Sequence, residues 1–230
     1  MGYSKPNRTE LIRQSPNSVE IIRPILRGRD IKRYSYDFAE LYLLNVHNGI
    51  REKNIPPVNI DDYPAIKTHL DQYWDKISVR DDRGKTPYNL RNCAYMDDFS
   101  KPKIIYPNMT KYLPFLFDDK KFFVNQKCFI ITGKYTGFLT AFFNSSLFKY
   151  CFRDAFPELQ GGTRELSKIF FENIPIVTVN NRIEAYCLNA VKDIQNHYTK
   201  SKAILLDQMI FELYKLNQQE QNEIGFREIK

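Results

Sequence analysis

The order of apolar patterns along the chain limits its fold more than any other feature of the sequence. Up to about residue 180, apolar residues come in short runs, many of them β-branched or aromatic, and Pro, Gly and charged turns separate these runs. After that point, apolar positions 183, 187, 190, 191, 194 and 198 recur at helical spacing. We therefore predict an α+β fold, with a β-rich domain and local helices at 1–180 and a C-terminal helical segment at 181–230 that packs on it.

The same patterns predict the individual elements. Strands are expected at 19–26, 41–46, 104–106, 122–124 and 128–132, with a turn at 27–30. Helices are expected at 63–77, 138–152, 182–198 and 203–216. Asn217 followed by Glu220 predicts the capping residues of one further short helix.

The charge balance favours a polyanionic partner. Lys and Arg total 34 against 27 Asp and Glu, which gives a formal net charge of +7. The four Cys residues form no C-x-x-C pair, a distribution typical of reduced thiols in a cytoplasmic protein. No stretch of about 18 apolar residues is present, so we expect no membrane span.

The sequence lacks the residue patterns of a catalytic or metal site. The His residues at 47, 69 and 197 have no metal-ligand spacing, and no Gly-rich phosphate loop is present. Asn54-Ile55-Pro56-Pro57 differs from the Asn-Pro-Pro-aromatic loop of amino-methyltransferases by an extra residue and a missing aromatic. Asp118-Asp119-Lys120-Lys121 resembles part of a nuclease motif, but a solvated β-turn is the simpler interpretation. We predict no catalytic residue, no metal ligand and no cofactor within this chain.

Two basic segments have the chemistry to contact phosphates or bases. In the first segment, residues 23–33, Asp30 is the only acidic residue beside five cations. Gly28 lies between two Arg residues and lets the backbone approach a phosphate closely. The second segment, residues 80–91, is polar and turn-prone. It contains three Arg residues, and an Arg side chain can bind guanine or phosphate bidentately. The alternative for both is a solvated surface segment whose charges pair within the protein. The two segments contain Arg23, Arg27, Arg29, Lys32 and Arg33, and then Arg80, Arg83, Lys85, Tyr88 and Arg91.

Further candidates lie nearer the middle of the chain. Basic residues continue around the strand at 104–106, and Gly161-Gly162-Thr163-Arg164 offers backbone N–H groups, a hydroxyl and a cation to a phosphate. A helix N-cap at Thr163 is the equally simple alternative. The complete predicted nucleic-acid-binding set is Arg27, Arg29, Lys32, Arg33, Arg80, Arg83, Lys85, Tyr88, Arg91, Lys101, Lys103, Lys111, Tyr112, Thr163 and Arg164.

Several segments together resemble a known family. The run from Ile22 to Tyr34, IRPILRGRDIKRY, resembles the opening signature of the TaqI-like C-terminal specificity domain. That domain occurs in type IIG restriction-modification enzymes and in related adenine-specific DNA methyltransferases. Shorter matches follow in the same order, namely Leu90-Arg91-Asn92, Lys101-Pro102-Lys103-Ile104-Ile105, Phe142-Phe143-Asn144-Ser145-Ser146-Leu147, Gly161-Gly162-Thr163, Ile174-Pro175-Ile176 and a final helix at 206–216.

The resemblance implies sequence-specific recognition of double-stranded DNA, mainly in the major groove, by a module that is not catalytic by itself. It also implies a partner methyltransferase domain that uses S-adenosylmethionine, and Mg²⁺ where the longer protein also cleaves DNA. The resemblance implies that the parent protein is a site-specific adenine DNA methyltransferase, with or without endonuclease activity. None of that machinery is matched in this chain, so no cofactor-binding or catalytic residue is carried over to it. Three alternatives stay open: half of a type I specificity subunit, a protein-interaction domain with incidental charge, and an active methyltransferase.

Overall fold

The computed structural model describes residues 2–3 and 5–227, and the described chain forms two compact units. Unit 1 consists of Met1–Ile25 and Ala39–Phe99, and unit 2 consists of Leu26–Phe38 and Ser100–Lys230. The segment 26–38 therefore belongs to unit 2, although unit 1 precedes and follows it in the sequence. Each unit has a hydrophobic core of its own.

Short strands and helices alternate along the chain, which confirms the α+β prediction. The strands are β1 Gly2–Tyr3, β2 Ile22–Leu26, β3 Ile31–Lys32, β4 Ser35–Tyr36, β5 Tyr42–Leu44, β6 Lys103–Pro107, β7 Met109–Thr110, β8 Leu116–Asp118, β9 Phe123–Val124, β10 Cys128–Thr132, β11 Glu158–Leu159 and β12 Thr163–Glu165. The α-helices are α1 Lys5–Gln14, α2 Pro64–Asp71, α3 Trp74–Ile77, α4 Thr136–Phe143, α5 Ser146–Phe152, α6 Lys168–Phe171, α7 Asn181–Asn196, α8 Lys200–Leu213 and α9 Gln218–Ile224.

Unit 1 contains an antiparallel arrangement in which β5 lies between β1 and β2. Its core joins Leu11 of α1, Ile22 of β2 and Leu44 of β5 to Ile66 of α2. Pro64 stands in the first turn of α2, where the missing N–H has no intrahelical partner to lose. The core of this unit thus combines residues of short strands with residues of α1 and α2.

Unit 2 is organised around an antiparallel sheet in the order β10-β6-β8 and the helices that cover it. Its aromatic core includes Phe115, whose ring lies 5.0 Å from that of Phe143 and 5.8 Å from that of Phe148. The helices α7 and α8 contribute Val191 and Ile210 to the same core. Helices α7 and α8 therefore share the core of unit 2 with residues of the sheet.

Helix α7 also caps α4. The carboxylate of Glu184 accepts hydrogen bonds from the backbone N–H groups of Gly137 and Phe138, each at 2.8 Å. These groups belong to the first turn of α4, which has no intrahelical acceptor for them. Close contact accompanies the cap, since a Cβ on Gly137 would lie only 2.6 Å from the Cβ of Leu188.

Two helices that the spacing predicts as continuous are interrupted. The helix predicted at 63–77 ends at Asp71, and α3 begins at Trp74. The helix predicted at 138–152 breaks at Asn144, whose carboxamide bonds both the N–H and the C=O of Phe115 at 3.1 and 2.7 Å. Ser145 then caps α5 by accepting from the N–H of Phe148. The capping residues predicted at Asn217 and Glu220 are confirmed as a capping box at the start of α9. No helix in the described residues is long and apolar enough to cross a membrane.

Candidate nucleic-acid interface

A basic groove of about 720 Å³ opens on unit 2. Three short segments line it: the turn before β3, the β6–β7 connection with the residues that follow it, and the turn between β9 and β10. Five cations and no carboxylate stand among the lining residues. We call this site the basic groove, and it is lined by Arg27, Gly28, Arg29, Ile31, Lys32, Pro107, Asn108, Met109, Thr110, Lys111, Tyr112, Pro114, Asn125 and Lys127.

Arg27 is held in place by Asp30. Its guanidinium donates to both carboxylate oxygens of Asp30, at 2.9 and 2.7 Å, and its backbone N–H donates to the same group at 2.9 Å. Burial by itself raises the pKa of the Asp30 carboxyl, but the hydrogen bonds from Arg27 and the charges of Arg27 and Arg29 outweigh it and lower that pKa. Arg27 therefore presents a fixed, half-buried guanidinium at the groove.

The next two cations of this segment are exposed. Arg29 forms no ion pair within the described part of the chain, and Lys32 lies 3.6 Å from the exposed carboxylate of Asp37. Such an exposed ion pair contributes little to stability, because water screens the attraction and both side chains must be ordered to form it. Gly28, which precedes Arg29, packs closely, since a Cβ there would lie 3.1 Å from the carbonyl oxygen of Lys127. The segment around the turn predicted at 27–30 thus places three cations, Arg27, Arg29 and Lys32, on the basic groove.

Lys111 and Tyr112, both exposed, follow β7 on the groove. The Tyr112 N–H donates to the hydroxyl of Thr110 at 3.1 Å, which fixes the start of this loop. Strand β12 pairs with β7, and the positive φ of 73° at Gly161 turns the chain just before it. A Cβ on Gly161 would lie 3.9 Å from the Lys111 ammonium, so the Gly161-Gly162 turn is a neighbour of the groove. Thr163 begins β12 rather than capping a helix.

The groove residues outside the predicted set include Asn108, Asn125 and Lys127. Lys127 and Asn125 belong to the turn between β9 and β10, where the Asn125 carboxamide accepts from the Lys127 N–H at 3.1 Å. Asn108 connects β6 to β7 and is half-buried. For Asn125 and Lys127, the only sequence signal of a nucleic-acid contact is a polar turn between two predicted strands. No sequence pattern indicates such a contact for Asn108.

Three members of the predicted set are buried, and we revise the prediction for them. The ammonium of Lys103 pairs with Asp118 inside unit 2, with both side chains excluded from solvent. The Arg33 guanidinium donates to the carbonyl of Asn144, and Arg164 pairs with Asp154 and Glu158. Internal acceptors therefore occupy these three cationic groups. Lys101 is exposed just before β6 but does not line the groove.

The second basic segment lies in unit 1 and is a structured loop. Arg80 donates to the carbonyl oxygens of Pro87 and Asn89, and the hydroxyl of Tyr88 donates to Asp71 at 2.6 Å. Arg83 donates to the carbonyl of Ser78 but is exposed. Lys85 and Arg91 are exposed as well. The loop thus uses Arg80 and Tyr88 for its own shape and presents the other three cations to solvent.

The described residues bring no three or more His, Cys, Asp or Glu side chains together as a metal site. The segment Asn54-Ile55-Pro56-Pro57 follows a 3-10 turn, with Asn54 in the left-handed region at φ 55°, and Ile50 bridges to Ile55. The segment itself contains no aromatic side chain, so it does not fit the base-gripping loop of a methyltransferase.

Comparison with known proteins identifies relatives. The chain is 22% identical over 210 residues to the type II methyltransferase M.BstVI of Geobacillus stearothermophilus, a match that covers 87% of this chain and 35% of the relative. Its fold is similar to that of the type IIL restriction-modification enzyme MmeI, solved in complex with DNA (TM-score 0.66, 12% identity, 94% of this chain and 31% of that one). The type IIG restriction endonuclease BpuSI is also similar (TM-score 0.52, 15% identity, 92% of this chain and 28% of that one).

The chain spans about a third of the length of these relatives. Residues 23–176 match the sequence model of the TaqI-like C-terminal specificity domain, and this range contains every lining residue of the basic groove. The match confirms the family that the run IRPILRGRDIKRY indicated. The chain therefore belongs to the family of TaqI-like C-terminal specificity domains of restriction-modification proteins.

Proposed function

We propose that this chain binds double-stranded DNA in a sequence-dependent manner and holds it for a separate catalytic domain. The observation that carries the proposal is the charge of the basic groove, where five cations stand without a carboxylate among the lining residues. Such a surface attracts phosphates and releases their condensed counterions when DNA binds. The proposed contacts from the groove are Arg27, Arg29, Lys32, Lys111, Tyr112 and Lys127.

Side chains on loops would then determine the sequence specificity of DNA binding, because phosphate contacts carry no sequence information directly. In unit 1, Arg83, Lys85 and Arg91 are exposed on a loop whose shape is fixed by internal hydrogen bonds. A rigid loop with exposed cationic side chains suits contact with base edges or phosphates. We include Arg83, Lys85 and Arg91 in the proposal, and we also keep Lys101 and Thr163 as candidate contacts.

The rest of the proposed system lies outside this chain. The relatives are a methyltransferase and restriction-modification enzymes about three times as long. We propose that the parent protein is an adenine-specific DNA methyltransferase, with or without endonuclease activity. Its methyltransferase domain would bind S-adenosylmethionine, and a nuclease domain would require Mg²⁺. None of these groups is assigned to residues of this chain.

The test is the salt dependence of DNA binding. A triple variant, Arg29→Gln, Lys111→Gln and Lys127→Gln, removes three exposed groove cations. Affinity for a labelled mixed-sequence duplex is measured between about 50 and 200 mM salt. The slope of log affinity against log salt should become shallower by about 0.9 for each phosphate that the variant no longer neutralises.

The matched control carries Lys134→Gln, Lys168→Gln and Arg182→Gln, which removes the same charge from exposed positions outside the groove. We expect it to keep the wild-type slope. An equal decrease of the slope in both triple variants would mean that net charge alone drives binding, and it would remove the groove from the proposal. Failure of the wild-type chain to bind any duplex at low salt would favour a protein-interaction domain.

A further inference from the structure

Asn108 is one of the uncharged polar residues that line the basic groove. It connects β6 to β7, and both of its backbone groups are fixed. Its N–H donates to the carbonyl of Lys127 at 2.9 Å, and its C=O accepts from the N–H of Leu166 at 2.8 Å. Asn108 is half-buried, as is Arg27, whereas Arg29, Lys111 and Lys127 are exposed.

The carboxamide of Asn108 is uncommitted. Among the described residues it neither donates nor accepts a hydrogen bond, in contrast to the carboxamides of Asn125 and Asn144. The Asn125 oxygen, on the same groove, accepts from the Lys127 N–H. The Asn144 carboxamide bonds both backbone groups of Phe115. Asn108 therefore offers a donor and an acceptor side by side on a backbone that is already rigid.

We propose that Asn108 is a specificity-determining residue that contacts adenine in the major groove. Adenine presents an acceptor at N7 beside a donor at N6, and a carboxamide matches that pair bidentately. Guanine presents two acceptors there, cytosine a donor, and thymine an acceptor with a methyl group. Because only adenine offers both a donor and an acceptor on this edge, adenine is the base that this side chain distinguishes. This inference rests on the proposed DNA binding by the basic groove.

The test is selection of duplexes from a randomised pool by the full chain, followed by sequencing. Wild type should select a motif that contains adenine at one or more positions. Asn108→Ala should lose the preference at one adenine position, keep the others, and keep the salt slope of binding. Asn108→Asp retains only acceptors, which suit the N4 amino group of cytosine, so the same position should change from adenine to cytosine.

A chemical substitution in the DNA isolates the contact. Replacing that adenine by 7-deazaadenine removes the N7 acceptor and leaves base pairing intact. Wild type should lose about fivefold or more in affinity, which is the lower end of the range for a bidentate contact. Asn108→Ala should lose nothing further. The control is Asn189→Ala, an exposed position on α7 that does not line the groove, and it should behave as wild type.

The outcomes separate the two proposals. If Asn108→Ala and Asn108→Asp bind DNA but select the wild-type motif, the inference about Asn108 fails and DNA binding by the groove stands. A wild-type motif without adenine would also overturn it. If the wild-type chain selects no motif and binds no duplex, the proposed function itself fails. Thermal unfolding of each variant shows whether it is folded. The 7-deazaadenine measurement on wild type tests whether N7 is contacted, and the absence of a further loss in Asn108→Ala assigns that contact to Asn108.

Discussion

Lys103 and Asp118 face each other across β6 and β8, and their side chains form an ion pair of 2.6 Å that is closed to solvent. Asp118 also accepts the backbone N–H groups of Lys120 and Phe122, at 2.9 and 3.0 Å. A buried ion pair is costly to form, and removing one partner leaves an uncompensated charge. Separating these two register partners would therefore leave a buried charge without its counter-ion.

We expect Lys103→Met to lower the free energy of unfolding by about 3–5 kcal/mol, because it leaves the Asp118 carboxylate buried without a cation. Adding Asp118→Asn should recover part of this loss, since the double variant buries no charge. Urea unfolding measures both. Lys168→Met, which breaks the exposed pair with Glu172, is the control and should leave the urea midpoint unchanged.

The pair between Arg27 and Asp30 should make stability depend on pH. The pKa of Asp30 is lower in the folded protein than in the unfolded chain, so its stabilising contribution is present above the unfolded pKa of about 3.9. That contribution is lost as the pH falls through the lower, folded pKa. Wild type should therefore be more stable than Asp30→Asn at pH 7, and the difference between them should shrink progressively below about pH 4. Urea midpoints at several pH values give the comparison; a gap that does not change would contradict it.

Gly137→Ala should separate α4 from α7. The added Cβ would lie 2.6 Å from the Cβ and 2.7 Å from the Cα of Leu188, so the backbone of one helix must move. We expect a loss of about 1–3 kcal/mol in the free energy of unfolding, as for overpacked cores. Thermal unfolding measures it. Thr178→Ala, an exposed substitution in the same unit, serves as the control. Hydrogen exchange at the Gly137 and Phe138 amides should accelerate, because their bonds to Glu184 weaken when the helices part.

In the unit 1 loop, we expect Arg80 to stabilise the fold and Arg83 and Arg91 to contact DNA. Arg80→Gln should lower the thermal unfolding midpoint, because its guanidinium holds the carbonyls of Pro87 and Asn89. Arg83→Gln and Arg91→Gln, at exposed positions, should leave that midpoint nearly unchanged. If they contact bases, they should reduce the preference for a selected duplex over a scrambled one. Equal affinity ratios in wild type and both variants would remove them from the base-contacting set.

Local patterns predicted the elements whose stability is local. The apolar spacing predicted α7, and Asn217 with Glu220 predicted the start of α9. Both predictions are possible because the residues that form a cap or an amphipathic face lie close together in the sequence. The break at Asn144 could not be predicted in this way. Its cause is a pair of hydrogen bonds to Phe115, which lies 29 residues away in the sequence.

The same distinction explains the candidate site. The turn at 27–30 was predicted from its own residues, and it does supply the groove with Arg27 and Arg29. Arg33 was grouped with them by proximity in sequence, but its acceptor is the carbonyl of Asn144, 111 residues further on. Asp118 was interpreted as part of a solvated turn, but its partner Lys103 comes from another strand and buries it. Charge in a sequence shows which residues can bind a phosphate, and only the tertiary structure shows which of them are already occupied.

The path of the chain between the two units has a consequence for exchanging specificities by recombination. The basic groove takes Arg27, Arg29 and Lys32 from the segment 26–38, and Lys111 and Lys127 from the segment that begins at residue 100. Residues 39–99, which separate these parts, belong to unit 1. A single crossover anywhere in 39–99 would therefore join part of one groove to part of another. A chimera that takes unit 2 from one protein and residues 39–99 from another requires three junctions, near residues 25, 38 and 99.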